Sequence, residues 1–225
     1  MFNAIAATYD FVNKTGSLGL DGYWRRRLVR RLSMTGARQV LDVACGSGVL
    51  SWMIYRRLHI QVTGIDVAAS MLHIAEKKRE SYRQKEELPI FVEGRAEQLP
   101  FDDGSFDAVT IAFGVRNFED RQAALQEAFR VLRPQGHLFI LDFATPRYPV
   151  WKFLFRIYFL HILPLWGWII SGNRDAYRYL PRSVDSFPQY EALCTELSDA
   201  GFSCLHWIPY TGGVATLYTG VRTYI

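Results

Sequence analysis

The chain has few cysteines, little net charge, no internal repeat and no long apolar run free of basic residues. Its 225 residues include three cysteines, Cys45, Cys194 and Cys204. They form no CxxC pair and no even set, which argues against a disulfide framework or a zinc site and fits a reducing cytosol. No metal ligand set is expected. The net charge of +4 is mild and gives no reason to expect nucleic acid as a partner. The absence of a repeat excludes solenoids and propellers. Residues Met1 to Asp10 lack the basic start and apolar run of a secretory signal, so the expected location is the cytoplasm. Val150 to Ile170 could span a bilayer by length, but it carries Lys152, Arg156, His161 and Pro164. Each basic residue near mid-membrane would cost roughly 2.5–3.5 kcal/mol. A helical lid over an apolar pocket, with tryptophans dipping into the membrane interface, is expected instead.

Hydrophobic residues make up 49% of the chain and charged residues 21%, enough for a real core within one large domain. The most informative stretch is Val40-Leu41-Asp42-Val43-Ala44-Cys45-Gly46-Ser47-Gly48. An apolar run ends in an acid and then a Gly-x-Gly turn. The amphipathic residues Val49, Leu50, Met53, Ile54 and Leu58 follow at once. This is a strand, a tight turn and a helix, and it brings bare backbone and a helix N-terminus to a nucleotide-like ligand. A second strand ends in Asp66, about 20 residues past the glycines, where such folds hold a ribose diol. A third glycine, wanted by dinucleotide sites, is missing. Asp42 would also repel a pyrophosphate, so an oxidoreductase is disfavoured.

Strands are expected at 39–44, 61–66, 89–93, 107–112 and 137–143, and helices at 48–58, 69–83 and 119–132. Their alternation argues for a parallel sheet covered on both faces. Leu20, Trp24, Leu28 and Leu32 recur every four positions and mark an earlier amphipathic helix. Arg25, Arg26, Arg27, Arg30 and Arg31 are expected on its solvated face. After the fourth strand, Arg116 and Asn117 fall at the carboxyl edge, where ligands bind in open α/β sheets. Near the end, a helix over 189–200 precedes two strands, 202–210 and 214–221, joined by Thr211-Gly212-Gly213 as a hairpin.

A parallel α/β sheet finished by an antiparallel hairpin resembles the class I S-adenosylmethionine-dependent methyltransferases. The resemblance implies a Rossmann-like three-layer sandwich with a mostly parallel seven-stranded sheet. S-adenosylmethionine carries an ammonium and a sulfonium, which suits Asp42. Asp66 would take the ribose hydroxyls. Gly46, Ser47 and Gly48 would form the turn beneath the ligand. The adenine would lie near Arg95 and Ala96, read by their backbone or stacked on the Arg95 guanidinium. Ala112 stands where a serine hydroxyl is common, so one cofactor contact is reduced.

Four signatures narrow the resemblance to the quinone C-methyltransferases that make menaquinone and ubiquinone. They are Tyr9-Asp10-Phe11-Val12-Asn13 with Ser17 and Trp24; Phe113-Gly114-Val115-Arg116-Asn117; Arg130 to Gly136; and Ala176 to Ser183. The departures are Asp21 for a usual histidine, Gln135 for a glycine and Asp142 for a glutamate. Residues 1–35 would form a helical arm over the site and 146–187 an apolar lid, within one domain spanning 1–225.

The implied reaction methylates a ring carbon of a polyprenylated demethylquinol, with demethylmenaquinol the expected acceptor. The alternatives are the benzoquinol precursor of ubiquinone, both quinols, or another lipid-like phenol. A non-catalytic scaffold is disfavoured by the retained Asp42, Gly46, Gly48 and Asp66. Arg116 would stabilise a developing phenolate, Asn117 would fix the ring, and Tyr9 would close over the reacting groups. Tyr177 and Tyr179 would line the ring site or the lid. Asp142, His161 or a water on Arg116 would take the proton. The lipid tail implies reversible contact with the inner face of the cytoplasmic membrane. A homodimer is allowed for.

Overall fold

A computed structural model of the chain describes residues 15–82, 87–162, 183–184 and 186–223. Seven strands form one sheet in the order β3-β2-β1-β4-β5-β7-β6. They are β1 (Gln39–Val43), β2 (Gln61–Asp66), β3 (Ile90–Glu93), β4 (Phe106–Ala112), β5 (Leu132–Phe143), β6 (Ser203–Tyr210) and β7 (Ala215–Val221). The first five run parallel, and β7 pairs antiparallel with both β5 and β6. The helices are α1 (Leu20–Leu32), α2 (Val49–Leu58), α3 (Ala69–Glu80), α4 (Arg121–Val131), α5 (Pro149–Ile157) and α6 (Glu191–Asp199).

The two-residue period of the strands divides the core. Leu41, Val43, Val109, Ile111, Leu138 and Ile140 face α4 and α6. Val40, Ala108, Phe139 and Leu141 face α1 and α2. This is the helix-covered parallel sheet expected from unbroken apolar strands. Trp24, Leu28, Val29 and Leu32 are at most 1% exposed, so α1 is a core element. Asp120 caps α4, its side chain accepting from the Ala123 amide at 3.0 Å.

Two local features differ from the expectation. The chain is already extended at Leu132, where a helix to 132 and a strand from 137 were expected. Pro134 lacks an amide donor and disfavours the helical state in Arg133. Gln135 then takes a φ of 65°, and pairing with β4 skips from Phe106↔Leu132 to Ala108↔His137. In the expected lid, α5 ends at Ile157 and a wider π-type turn follows over Tyr158–Ile162. No helix among the described residues is long and apolar enough to cross a membrane.

Candidate active site

The cleft lies beyond the carboxyl ends of β1, β2 and β4, at the place the topology predicts. Its wall includes Asp42, Gly46, Ser47, Asp66, Arg95, Ala96, Ala112 and Asn117. Three observations describe it, one for each strand end.

At the end of β1, residues Asp42 and Thr110 are register partners on neighbouring strands. They face the same side of the sheet, and the Thr110 hydroxyl donates to Asp42 Oδ1 at 2.8 Å. Ser51, in the first turn of α2, donates to Oδ2 at 2.5 Å. Asp42 is 1% exposed. Burial pushes its pKa up to about 6, against the opposing pull of the two hydroxyls and of the Arg25 charge. The carboxylate is therefore an inner-wall charge whose ionisation depends on its surroundings.

At the end of β2, Asp66 organises the glycine turn. Its Oδ2 accepts from the Gly46 amide at 2.8 Å and its Oδ1 from the Ala68 amide at 2.9 Å. Burial also raises the Asp66 pKa, while these amides lower it. Gly46 has a φ of 56°, and a Cβ there would meet nothing within 4 Å: the turn is open toward the cleft. Gly48, off the wall, has a φ of 73°, and a Cβ there would lie 2.8 Å from the Phe91 ring. One glycine keeps the turn bare and the other lets α2 close on the sheet. Lys78, from α3, donates to the Ser47 carbonyl at 2.8 Å.

At the end of β4, the chain turns at Phe113, whose φ is 62°, into a short 3₁₀ turn over Val115–Asn117. Ala44, at the end of β1, also has a positive φ, 55°. Non-glycine residues in this region are strained, and here they flank the cleft. The short turn separates the two residues read together from sequence. Asn117 reaches the wall. Arg116 does not: its side chain is 4% exposed and its Nη1 donates to Asp142 Oδ1 at 2.6 Å and to the Phe113 carbonyl at 2.7 Å. Arg116 Nε and Asp142 Oδ2 have no protein partner.

The Arg95 guanidinium faces outward and donates to Glu119 at 2.6 Å, with Glu97 at 3.5 Å. Tyr9, Tyr177 and Tyr179 lie outside the described residues, as does the side chain of His161.

Sequence reasoning placed Arg25 on a solvated helix face. That placement is corrected: Arg25 is 9% exposed and lines the cleft, with its guanidinium 4.9 Å from the Phe113 ring centroid. The signal was present in the sequence. Val29 lies one turn beyond Arg25, so a second buried stripe runs beside Trp24, Leu28 and Leu32. Phe118 and Glu119 also line the wall and were missed, because loop residues carry no periodic signal.

A cleft with one acid at the tip of β2, a second inside β1 and a bare glycine turn between them can hold a nucleoside whose tail is cationic. Among the described residues no cluster of acidic, histidine or cysteine side chains could hold a metal ion.

Comparison with known proteins bears on family and fold. The family model described as the ubiE/COQ5 methyltransferase family matches residues 1–222. A demethylmenaquinone methyltransferase of Thermus thermophilus is 44% identical over 223 residues, covering 99% of this chain and 100% of the relative. A ubiquinone/menaquinone biosynthesis C-methyltransferase of a Geobacter species is 40% identical over 224 residues, covering 99% and 94%. Among solved structures, the [4+2]-cyclase SpnF superposes with a TM-score of 0.67 at 20% identity, covering 88% of this chain and 82% of that one. An S-adenosylmethionine-dependent methyltransferase of Thermotoga maritima gives 0.60 at 19% identity, covering 99% and 100%. These structural likenesses speak to fold alone.

Proposed function

The chain belongs to the ubiE/COQ5 methyltransferase family, and on that basis we propose that it transfers a methyl group from S-adenosylmethionine to a ring carbon of demethylmenaquinol. The observation that carries the reading is the Asp66 carboxylate bound to the Gly46 amide at 2.8 Å, with Asp42 in the same wall. This pairs a ribose-accepting acid with a bare turn and an inner charge of the sign an ammonium needs. The names of the relatives favour the naphthoquinol: one is named for demethylmenaquinone alone, the other for both quinone branches.

When bound, S-adenosylmethionine supplies an electrophilic methyl group on a sulfonium. The chain's own residues do the rest. Asp66 accepts the ribose hydroxyls, the backbone of Arg95 and Ala96 reads the adenine, and Asp42 in its ionised form faces the ammonium. Gly46, Ser47 and Ala112 form the bare wall, with Gly48 beneath. The acceptor carbon is a weak nucleophile until an adjacent ring hydroxyl loses its proton. Asn117 holds the ring from the wall of the cleft. Arg116 acts from behind that wall: fixed by Asp142, its charge favours the phenolate electrostatically without leaving its pocket. Tyr9 closes the site from the arm of residues 1–35. Asp142, 0% exposed and spent on Arg116, is not placed to take the proton, which leaves His161 or a water as the acceptor. Alignment of ring and methyl supplies much of the acceleration.

The prenyl tail gives the 146–187 segment its role as a lid that rests on the bilayer while the ring enters the cleft. In its described part, α5 buries Phe155 but exposes Val150, Trp151, Phe153 and Leu154 by half or more. Lys152 and Arg156 are exposed beside them. An apolar face edged by cations suits reversible attachment to an anionic membrane surface.

The deciding experiment follows labelled methyl from S-adenosylmethionine into demethylmenaquinol and, in parallel, into the benzoquinol precursor of ubiquinone. Label in the naphthoquinol is expected. Transfer to the benzoquinol alone would move the function to the other branch, and transfer to neither would overturn it.

A further inference from the structure

The site derived above explains how a cation is held but leaves one charge of the donor without a partner. A methionine moiety carries a carboxylate as well as an ammonium. Asp42 and Asp66 repel that carboxylate, and Glu97 and Glu119 on the outer rim do the same. Two cations line the cleft, Arg25 and Arg95. Arg95 is taken up by Glu119 and Glu97 at the exposed edge. Arg25 is different in three respects. It is 9% exposed, so its charge acts through little water. Its Nη1 is held by Asp21, which in turn accepts from the Ser17 hydroxyl at 2.8 Å. Its Nε is buried with no hydrogen-bond partner, an expensive state for a guanidinium unless a ligand completes it.

We propose that Arg25 binds the carboxylate of the donor's methionine moiety, across the cleft from Asp42, so that the two side chains together recognise an α-amino acid end. This rests on the assignment of the cleft to S-adenosylmethionine. The geometry is prepared before the ligand arrives. Asp21 sits one helical turn before Arg25 and orients the guanidinium, and the Phe113 ring supports it at 4.9 Å. A planar guanidinium fixed on two sides presents its remaining donors in a direction that suits a carboxylate. Residue 21, the position of the usual family histidine, thereby gains a use: its aspartate holds the arginine that the donor needs.

Calorimetry with three probes tests the assignment. S-adenosylhomocysteine carries both charges of the amino acid end, its decarboxylated analogue keeps only the ammonium, and 5′-methylthioadenosine has neither. The unmodified protein should bind S-adenosylhomocysteine ~10- to 100-fold more tightly than the decarboxylated analogue. In Arg25→Gln that preference should collapse to within about threefold, while 5′-methylthioadenosine binds as before. Unchanged binding of 5′-methylthioadenosine also reports a folded site. Should Arg25→Gln fail to fold, Arg25→Met, which keeps the stem over Phe113 and deletes the charge, carries the same comparison. A protein that binds the homocysteine and decarboxylated probes equally, or an Arg25 variant that keeps the full preference, overturns the proposal and leaves the donor site standing. A protein that binds none of the three overturns the donor site, and this proposal with it.

Discussion

Arg116 and Asp142, 26 residues apart in sequence, form an ion pair of 2.6 Å in which the two side chains are 4% and 0% exposed. The acid belongs to β5 and the base to the turn after β4. Their pairing ties the turn after β4 to the neighbouring strand of the sheet.

Breaking this pair from one side should be costly. Arg116→Met leaves Asp142 buried without its cation and is expected to lose ~3–5 kcal/mol of stability in urea unfolding. Arg116→Met with Asp142→Leu should recover most of that. The sign of the pH dependence follows from burial, which already raises the Asp142 pKa despite the cation beside it. Without Arg116 the pKa climbs further, so the folded state holds its proton over a wider range. Stability of Arg116→Met should therefore fall as pH rises above the ordinary carboxylate range, more steeply than in the parent chain. Equal pH slopes would show that Asp142 does not feel Arg116.

The raised pKa of Asp42 gives two opposite pH profiles. Its folded value is about 6, against an ordinary 3.8. Below both values the carboxyl is protonated in the folded and unfolded chains alike, and its full stabilising contribution is present. As pH rises through this window the unfolded chain releases the proton first, so stability falls by up to ~3 kcal/mol and then levels. Affinity for S-adenosylhomocysteine should move the other way: level above pH 6 and weaker by up to about tenfold per unit below it, because the ionised form faces the ammonium. Ser51 and Thr110 contribute only hydroxyls to this carboxylate. Binding of 5′-methylthioadenosine should lack the step that Asp42 contributes, and Asp42→Asn should remove that step from both profiles, leaving what Asp66 and Asp142 contribute.

The two glycines of the turn should separate folding from binding. Gly48→Ala places a Cβ 2.8 Å from the Phe91 ring at a φ of 73°, and a loss of ~2–4 kcal/mol is expected. Gly46→Ala meets open space at a φ of 56° and should cost only ~1–2 kcal/mol. Its methyl intrudes on the ligand instead, so S-adenosylhomocysteine binding should weaken at least tenfold. Thermal unfolding with and without that probe reads both effects.

The exposed face of α5 predicts vesicle binding that falls with salt. Sedimentation with anionic vesicles should recover the protein in the pellet at low ionic strength and release it as screening increases. Trp151→Ser with Phe153→Ser should abolish pelleting while leaving S-adenosylhomocysteine binding unchanged. Failure to pellet at any salt concentration would exclude the attachment.

Period and punctuation in the sequence revealed most of the sheet. Largely apolar runs such as Val40 to Val43 and Val109 to Ala112 read as covered strands, and Asp42 inside the first with Asp66 at the end of β2 marked the edge where the cleft lies. What stayed hidden depended on one turn or one helical phase. A three-residue 3₁₀ turn sends Arg116 inward and Asn117 to the cleft, and neighbours in sequence carry no sign of that divergence. Arg25 stood among five arginines, and only the phase set by Val29 distinguished it. The Asp66 contact with Gly46 joins two strand ends across space, whereas sequence spacing predicts only that the acid lies nearby.

The burial of Trp24 and Leu28 has a consequence for where the cleft can yield. A helix pinned by side chains at most 1% exposed is a fixed bulkhead. The rim at Arg95 and Glu119 is of another kind, two solvent-facing side chains at 2.6 Å whose attraction water and salt screen. Parting them disturbs no core contact, so this rim, unlike α1, can shift without cost to the packing of the fold.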